Sequence, residues 1–164
     1  MASARFANRS LVNARIALVF ALLVCSCAAV AAERLHGRVV AVTDGHTLTV
    51  LLGSRRVQVQ LAHVDSPVGT QRHAIGSRQS LIALCGGEPV ELRVHHERAD
   101  GSMVASAGCN GKDAGAEQLR RGMAIIDAKS GAADARLSML EHEARAARRG
   151  VWADARAWRP SESR

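Results

Sequence analysis

The stretch LHGRVVAVTDGHTLTVLLGSRRVQVQLAHV, residues 35–64, decides the fold class. Its last eight residues alternate apolar and polar side chains with the two-residue period of a half-buried β-strand. Two further apolar runs precede them, and the segments TDGH and GSRR between the runs contain residues that favour turns. The stretch therefore predicts a three-stranded meander.

Beyond this meander the chain predicts two more strands and three helices. In chain order these are a helix over residues 74–85, strands over residues 89–95 and 103–109, a helix ending at Gly122 and a long helix over residues 132–149. Glycine follows each helix, at positions 86, 87, 122 and 150, and glycine commonly terminates helices. Strands come first and helices second, an order that predicts a β-rich α+β fold: a five-stranded barrel packed by about three helices.

Residues 1–31 predict a secretory signal peptide, to be cleaved between Ala31 and Ala32. Three arginines and no acidic residue precede the apolar run IALVFALLV, which has about half of the roughly 20 residues that a membrane-spanning helix needs. A lipid anchor at Cys27 is the weaker alternative, because Cys25 stands where a lipoprotein signal has a small or aliphatic residue. We therefore predict an exported protein, periplasmic or secreted, with no permanent membrane span.

Charge and aromatic content limit what the mature chain can bind. Removal of residues 1–31 takes away three arginines, which lowers the formal net charge of +7 by three. We predict a monomer with one domain at residues 32–152 and a basic tail at residues 153–164. Trp152 and Trp158 are the only Phe, Tyr or Trp residues of this part. Stacking of single-stranded bases needs several flat rings along a groove, so this binding mode is disfavoured.

Two cysteines, Cys85 and Cys109, remain after the signal peptide is removed. An even pair in a chain directed to an oxidising compartment favours a disulfide over two buried thiols. In the chain-entropy view such a bridge would contribute about 3–4 kcal/mol of stability.

Five segments in order carry a family resemblance. They are GRVVAVTDGHTLTV, QLAHVDSP, the helix ending in LCGG, NGKD followed by LRRGMA, and LEHEARAARRGVW. The last contains the most distinctive pattern, E-x-x-A-R-x-x-x-x-G-x-W over residues 141–152. Across residues 35–152 the chain resembles the staphylococcal-nuclease-like (thermonuclease) domain family. That resemblance implies an OB-fold and calcium-dependent hydrolysis of phosphodiesters in DNA and RNA.

The resemblance also implies a degenerate metal site. A calcium-binding aspartate of the family falls on His46 of the turn that begins with Asp44, whereas a second one is retained as Asp65. Ser66 matches the neighbour whose backbone carbonyl helps to hold the ion. Ca²⁺ prefers six to eight oxygen ligands with several carboxylates among them, so we expect weak calcium binding at most.

The family's catalytic positions are replaced as well. The glutamate that orients or activates the attacking water falls on Val68, and the two arginines fall on Gln60 and Val104. General-base help is typically worth ~10²–10⁴-fold, and each electrostatic donor contributes a similar factor. We therefore predict a family member without ordinary nuclease activity.

Two hypotheses remain for the altered turn. His46, Asp44 and Asp65, with His63 or His73 nearby, could hold a transition metal, because imidazole and carboxylate together suit Zn²⁺, Ni²⁺ or Cu²⁺. Alternatively, His46 is a polar turn residue without a metal.

Two functional classes follow. One is an exported binding or scaffolding module for nucleic acid, another anionic ligand or a protein. The other is a nuclease with weak activity or an altered metal dependence. Arg145, Arg148 and Arg149, with the arginines of the tail, could contact phosphates, although a solvated helix face is the favoured interpretation of this arginine cluster.

Overall fold

The computed structural model describes residues 34–129 and 134–153. The strands are β1 (Arg34–Val42), β2 (Thr47–Leu52), β3 (Arg55–Leu61), β4 (Val64–Asp65), β5 (Pro89–Glu97), β6 (Met103–Cys109), β7 (Lys112–Asp113) and β8 (Ile125–Ile126). The helices are α1 (Ala74–Cys85), α2 (Ala114–Arg120) and α3 (Ala135–Ala146), followed by a 3₁₀ turn, Gly150–Trp152. None of these helices is long and apolar enough to cross a membrane. The predicted signal peptide and the tail from residue 154 onward lie outside the described residues.

Five strands close into a barrel in the order β3-β2-β1-β5-β6. These neighbours are antiparallel, and the parallel pairing of β6 with β3, with Gln60 opposite Val104, completes the ring. One end of β1 pairs with β5 and the other with β2, so β1 belongs to both halves of the barrel. A side chain at Gly37 in this strand would place its Cβ 2.6 Å from the carbonyl oxygen of Leu51. The predicted OB-fold barrel packed by about three helices is thus confirmed.

The alternation that predicted the third strand places its apolar side chains in the core. Val57, Val59 and Leu61 are buried, and Gln58 between them is exposed. The strand ends at Leu61, three residues earlier than predicted, because His63 takes a left-handed conformation with φ of 65°. Left-handed residues interrupt an extended strand. The chain then pairs β4 with β8, and this turn brings Asp65 toward the β1–β2 turn.

A disulfide joins the end of α1 to the end of β6. Cys85 and Cys109 are 24 residues apart in sequence, their Cα atoms lie 5.4 Å apart, and both side chains are fully buried. The bridge therefore ties the helix directly to the barrel.

The residues of the distinctive C-terminal pattern have structural roles. The Glu141 carboxylate accepts a hydrogen bond of 2.8 Å from the backbone amide of Ile126 in β8. Ala144 is fully buried, and the Arg145 guanidinium lies 4.2 Å from the centre of the Trp152 ring. These contacts hold α3 and the 3₁₀ turn in place, so residues of this pattern contribute to packing.

Helix α3 ends at Ala146, three residues earlier than predicted. Arg148 adopts a left-handed conformation with φ of 51°, and the amide of Arg149 donates to the carbonyl of Ala144 at 2.9 Å. This arrangement terminates a helix even without glycine. Gly150 is needed for packing instead, because a Cβ there would collide with the carbonyl oxygen of Gly122.

Replacing Gly150 by alanine is expected to destabilise the fold by about 1–3 kcal/mol, because the new methyl group meets backbone that cannot rotate away. Denaturant unfolding followed by circular dichroism would measure the change. Gly53→Ala is the matched control: Gly53 has a similar φ of 59°, but nothing lies within 4 Å of the position that a Cβ would take there. Equal losses in both variants would show that the positive φ, and not the contact with Gly122, is responsible.

Candidate functional site

The β1–β2 turn, residues 43–46, is held by contacts with its neighbours. Asp44 Oδ1 accepts from the amide of His46 at 2.9 Å, which fixes the turn locally. Gln118, fully buried in α2, donates through Nε2 to the carbonyl of Gly45 at 2.8 Å and to that of Ser77 at 3.0 Å. A Cβ on Gly45 would collide with the Ser77 hydroxyl. The turn therefore approaches α1 closely, and its side chains are placed by tertiary contacts.

The His46 imidazole lies between two carboxylates. It is buried, with 9% of its surface exposed, and its Nδ1 lies 2.8 Å from Ser66 Oγ and 3.1 Å from Asp44 Oδ1. On the other side, Nε2 is 3.9 Å from Asp65 Oδ1. All four residues predicted as metal ligands thus come together, with the imidazole at their centre.

Burial raises the pKa of the Asp65 carboxyl above its ordinary value, although His46 and a hydrogen bond from the Ser66 amide oppose this shift. That hydrogen bond is 2.8 Å long and occupies Oδ1. The folded protein therefore holds a proton at Asp65 to a higher pH than the unfolded chain does. Ionisation of the Asp65 carboxyl therefore lowers the free energy of unfolding.

Asp65→Asn is accordingly expected to stabilise the protein at neutral pH. Because the folded pKa is raised, the cost is absent below the unfolded value of 3.8 and grows as the pH rises through the folded pKa. Solvent reaches part of the carboxylate, so we expect a gain below about 1 kcal/mol. Denaturant unfolding of both proteins across this pH range would measure the gain. If Asp65→Asn were more stable by the same amount at every pH, ionisation of Asp65 would not be the cause.

A small cavity of about 140 Å³ opens beside the imidazole. It is lined by His46, Thr47, Gln58, Gln60, Arg98 and Ser102. Arg98 comes from the β5–β6 turn, and its Nη2 donates to Gln60 Oε1 at 2.5 Å. Arg98 was not among the site residues predicted from the sequence, because it matches no motif position. The sequence signal that could have found it is the turn-forming segment ADGS, residues 99–102, which directly follows Arg98. In the structure the Arg98 amide donates to the Ser102 carbonyl across this turn at 2.8 Å.

A second cavity, of about 230 Å³, lies on the other side of the turn. Thr43, Asp44, Pro67, Val68, Gly69, Ala74, Ile75 and Arg78 line it. Val68 contributes an aliphatic side chain to this wall, and its backbone amide donates to Gln71 Oε1 at 2.8 Å.

Comparison with known proteins decides the family. The family model described as staphylococcal nuclease homologue matches residues 58–154. The chain belongs to the staphylococcal nuclease homologue family.

Several relatives are similar over most of their length. An uncharacterized endonuclease of Escherichia coli O157:H7 is 30% identical over 122 residues, 74% of this chain and 79% of the relative. Micrococcal nuclease of Shigella flexneri is 30% identical over 135 residues, 76% of this chain and 78% of the relative. Protein ParB of Escherichia coli is 32% identical over 163 residues, 93% of this chain and 91% of the relative.

The site of this staphylococcal nuclease homologue does not fit the calcium ion of its family. The imidazole of His46 takes the space between Asp44 and Asp65, and one oxygen of each carboxylate already accepts a backbone amide. A hard cation would need most of its ligands from water or backbone there. The residues present therefore favour a site closed by its own hydrogen bonds.

The transition-metal hypothesis gains no further ligand from the structure. The His63 ring packs edge-on against His95, with ring centres 5.3 Å apart, and His73 precedes α1 in a left-handed conformation. Among residues 34–129 and 134–153, no group of three or more His, Cys, Asp or Glu side chains is arranged to hold a metal ion.

The two positions assigned to the family's arginines lie side by side. Val104 is in register with Gln60 on the neighbouring parallel strand, so both side chains share one face of the barrel. Ser102, two residues before Val104, lines the cavity with His46. Ser102 therefore reaches this cavity, whereas Val104 is not among its lining residues.

Two arginines of the cluster at the end of α3 and just after it make structural contacts. Arg145 stacks on Trp152, and Arg149 donates through Nη1 to the carbonyl of Arg120 at 3.0 Å. Both contacts serve the packing of α3 and the segment after it.

Proposed function

We propose that this staphylococcal nuclease homologue binds the phosphodiester backbone of nucleic acids and does not hydrolyse it with calcium. One observation carries the proposal: the His46 imidazole stands between Asp44 and Asp65, where the resemblance puts the calcium ion. The ring fills the space between these carboxylates, so an ion could enter only by displacing it.

The missing groups act in different parts of the hydrolytic reaction. Phosphoryl transfer depends on positioning and on cations set against the developing charge. Without calcium little polarises the phosphate, and Val68 has no atom that can accept a proton from water. General-base help alone is typically worth ~10²–10⁴-fold, so the losses together would bring cleavage below an ordinary assay's detection. Binding needs none of these groups and can persist.

We extend the proposal to export. Residues 1–31 have the composition of a signal peptide, and the Cys85–Cys109 bridge supports this location because disulfides persist in oxidising compartments. An exported domain of this kind would meet nucleic acid outside the cytoplasm.

The test uses the purified mature protein in two assays. Single- and double-stranded DNA and RNA are incubated with it in calcium, manganese or zinc, with His46→Ala and Asp65→Ala as controls. Binding of a fluorescent single-stranded oligonucleotide is measured by anisotropy at several salt concentrations. We expect no cleavage, together with binding that weakens as salt rises. The absence of binding by folded protein would overturn the proposal.

A second candidate is a nuclease with weak activity or an altered metal dependence. Arg98 favours it, since a guanidinium remains beside Gln60 even though the family's arginine is absent there. The names of similar proteins, endonuclease and micrococcal nuclease, also support it. Cleavage lost in both His46→Ala and Asp65→Ala would establish this candidate in place of the first.

A further inference from the structure

A third cavity, of about 160 Å³, lies between the barrel and the first turns of α2 and α3, and no residue of the β1–β2 turn lines it. At the ~30 Å³ that a water molecule occupies in the liquid, this volume corresponds to about five waters, or to a molecule with a similar number of heavy atoms. Its wall is polar and carries both signs of charge. The polar side chains that line it are Arg93, Arg136, Asp113, Asp134, His63 and Ser106.

The two arginines of this cavity form no ion pair with its aspartates. Arg93 contacts Ser106 Oγ at the long distance of 3.5 Å. Within residues 34–129 and 134–153, every ion pair of an arginine involves a guanidinium other than those of Arg93 and Arg136. Both guanidiniums can therefore donate to a ligand, and the planar fork of arginine matches the two oxygens of a carboxylate.

Each of the two aspartates leaves one oxygen for a ligand. Asp113 Oδ1 accepts from the amide of Ala116, and Asp134 Oδ1 accepts from the amide of Leu137, both at 2.8 Å. These contacts cap the starts of α2 and α3. The second oxygen of each carboxylate takes no part in the caps, and a carboxylate oxygen accepts hydrogen bonds from an ammonium group.

His63 adds a buried polar atom to the same wall. Its Nδ1 is buried, and no group in the described part of the chain forms a hydrogen bond with it. Buried polar atoms are nearly always hydrogen-bonded, so an exception calls for a water molecule or a ligand as the partner. The ring is held in place by edge-on packing against His95, whose Nε2 lies 2.9 Å from Ser106 Oγ.

We propose that this cavity binds a small free amino acid as its zwitterion, with Arg93 and Arg136 holding the carboxylate and Asp113 and Asp134 holding the ammonium group. Two guanidiniums and two carboxylates cancel in net charge, so the wall suits a ligand that is neutral overall and carries both signs. A phosphate would meet two carboxylates there, and a metal ion would meet two guanidiniums. The inference does not depend on nucleic-acid binding.

The first arm of the experiment needs no variant. The mature protein is titrated with glycine, with N-acetylglycine, which lacks the ammonium group, and with glycinamide, which lacks the carboxylate. We expect glycine to shift the backbone amide NMR signals of Ser106, Ala116 and Leu137. Both analogues should bind at least about tenfold more weakly, because each leaves two charged side chains of the wall without a partner.

The second arm removes one charge at a time. Arg136→Gln and Asp134→Asn should each weaken glycine binding by about tenfold. Asparagine keeps a side-chain oxygen that can cap α3, so this variant tests the charge and not the cap. Arg56→Gln is the matched control, because Arg56 is an exposed arginine of β3 that does not line the cavity, and glycine affinity should stay unchanged. Denaturant unfolding verifies that each variant is folded.

Three results would overturn the inference. If glycine leaves the amide signals around the cavity unshifted, the cavity holds only water. If N-acetylglycine or glycinamide binds as tightly as glycine, the wall does not recognise a zwitterion. If neither Arg136→Gln nor Asp134→Asn weakens glycine binding, glycine binds elsewhere. None of these results bears on the proposed function, which the oligonucleotide assay tests separately.

Discussion

A variant carrying His46→Asp, Gln60→Arg, Val68→Glu and Ser102→Arg is expected to cleave DNA when calcium is present, at a rate at least ~10⁴-fold above that of the natural protein. The first change removes the imidazole from between Asp44 and Asp65 and supplies oxygen ligands for the ion. The others restore a proton acceptor and two cations at the phosphate. Release of acid-soluble nucleotides would measure the rate, and chelation of calcium should abolish it.

Two arrangements of the last arginine should be compared. Ser102 lines the cavity with His46, whereas Val104 pairs with Gln60 on the neighbouring strand. A second graft with Val104→Arg in place of Ser102→Arg is therefore the matched control, and the more active of the two identifies the position that reaches the phosphate. If both grafts fold but neither cleaves, the assignment of catalytic positions to this chain is wrong.

The second large effect is expected from loss of the disulfide. A Cys85→Ser, Cys109→Ser double variant should be less stable than the oxidised protein by at least about 3–4 kcal/mol, the amount that the bridge contributes by constraining the unfolded chain across a separation of 24 residues. Two hydroxyls placed where buried sulfurs stood add to the loss. The free energy of unfolding from denaturant titration would measure the difference.

The reduced natural protein separates these two contributions. It lacks the bridge but keeps the buried sulfur atoms, so it should lie between the oxidised protein and the double variant. Titration of free thiols in denaturant should detect none at Cys85 and Cys109 before reduction. Identical unfolding midpoints with and without reductant would contradict the bridge's contribution to stability.

Features that depend on near neighbours were predictable from the sequence. The helix at residues 74–85 and the strand at residues 103–109 occur at the predicted bounds, because side-chain periodicity and flanking turns are local properties. One difference is β5, which continues to Glu97, two residues beyond its predicted end. Two others concern places where the chain turns without glycine. His63 and Arg148 adopt left-handed conformations that their residue types do not announce, and each ends an element three residues early.

By itself the sequence determined the fold class, since it follows from residue types in a fixed order, and it predicted which residues stand at the family's functional positions. Only the tertiary structure decided where the His46 ring lies and that Arg98 reaches Gln60. The His46–Ser66 contact joins residues 20 positions apart in the sequence, and the Arg98–Gln60 contact joins residues 38 positions apart. These contacts exist for two reasons. Closing of the barrel aligns β3 with β6, and the turn at His63 brings Ser66 back to the β1–β2 turn. Such distances depend on how whole strands pack, which no local pattern of residues specifies.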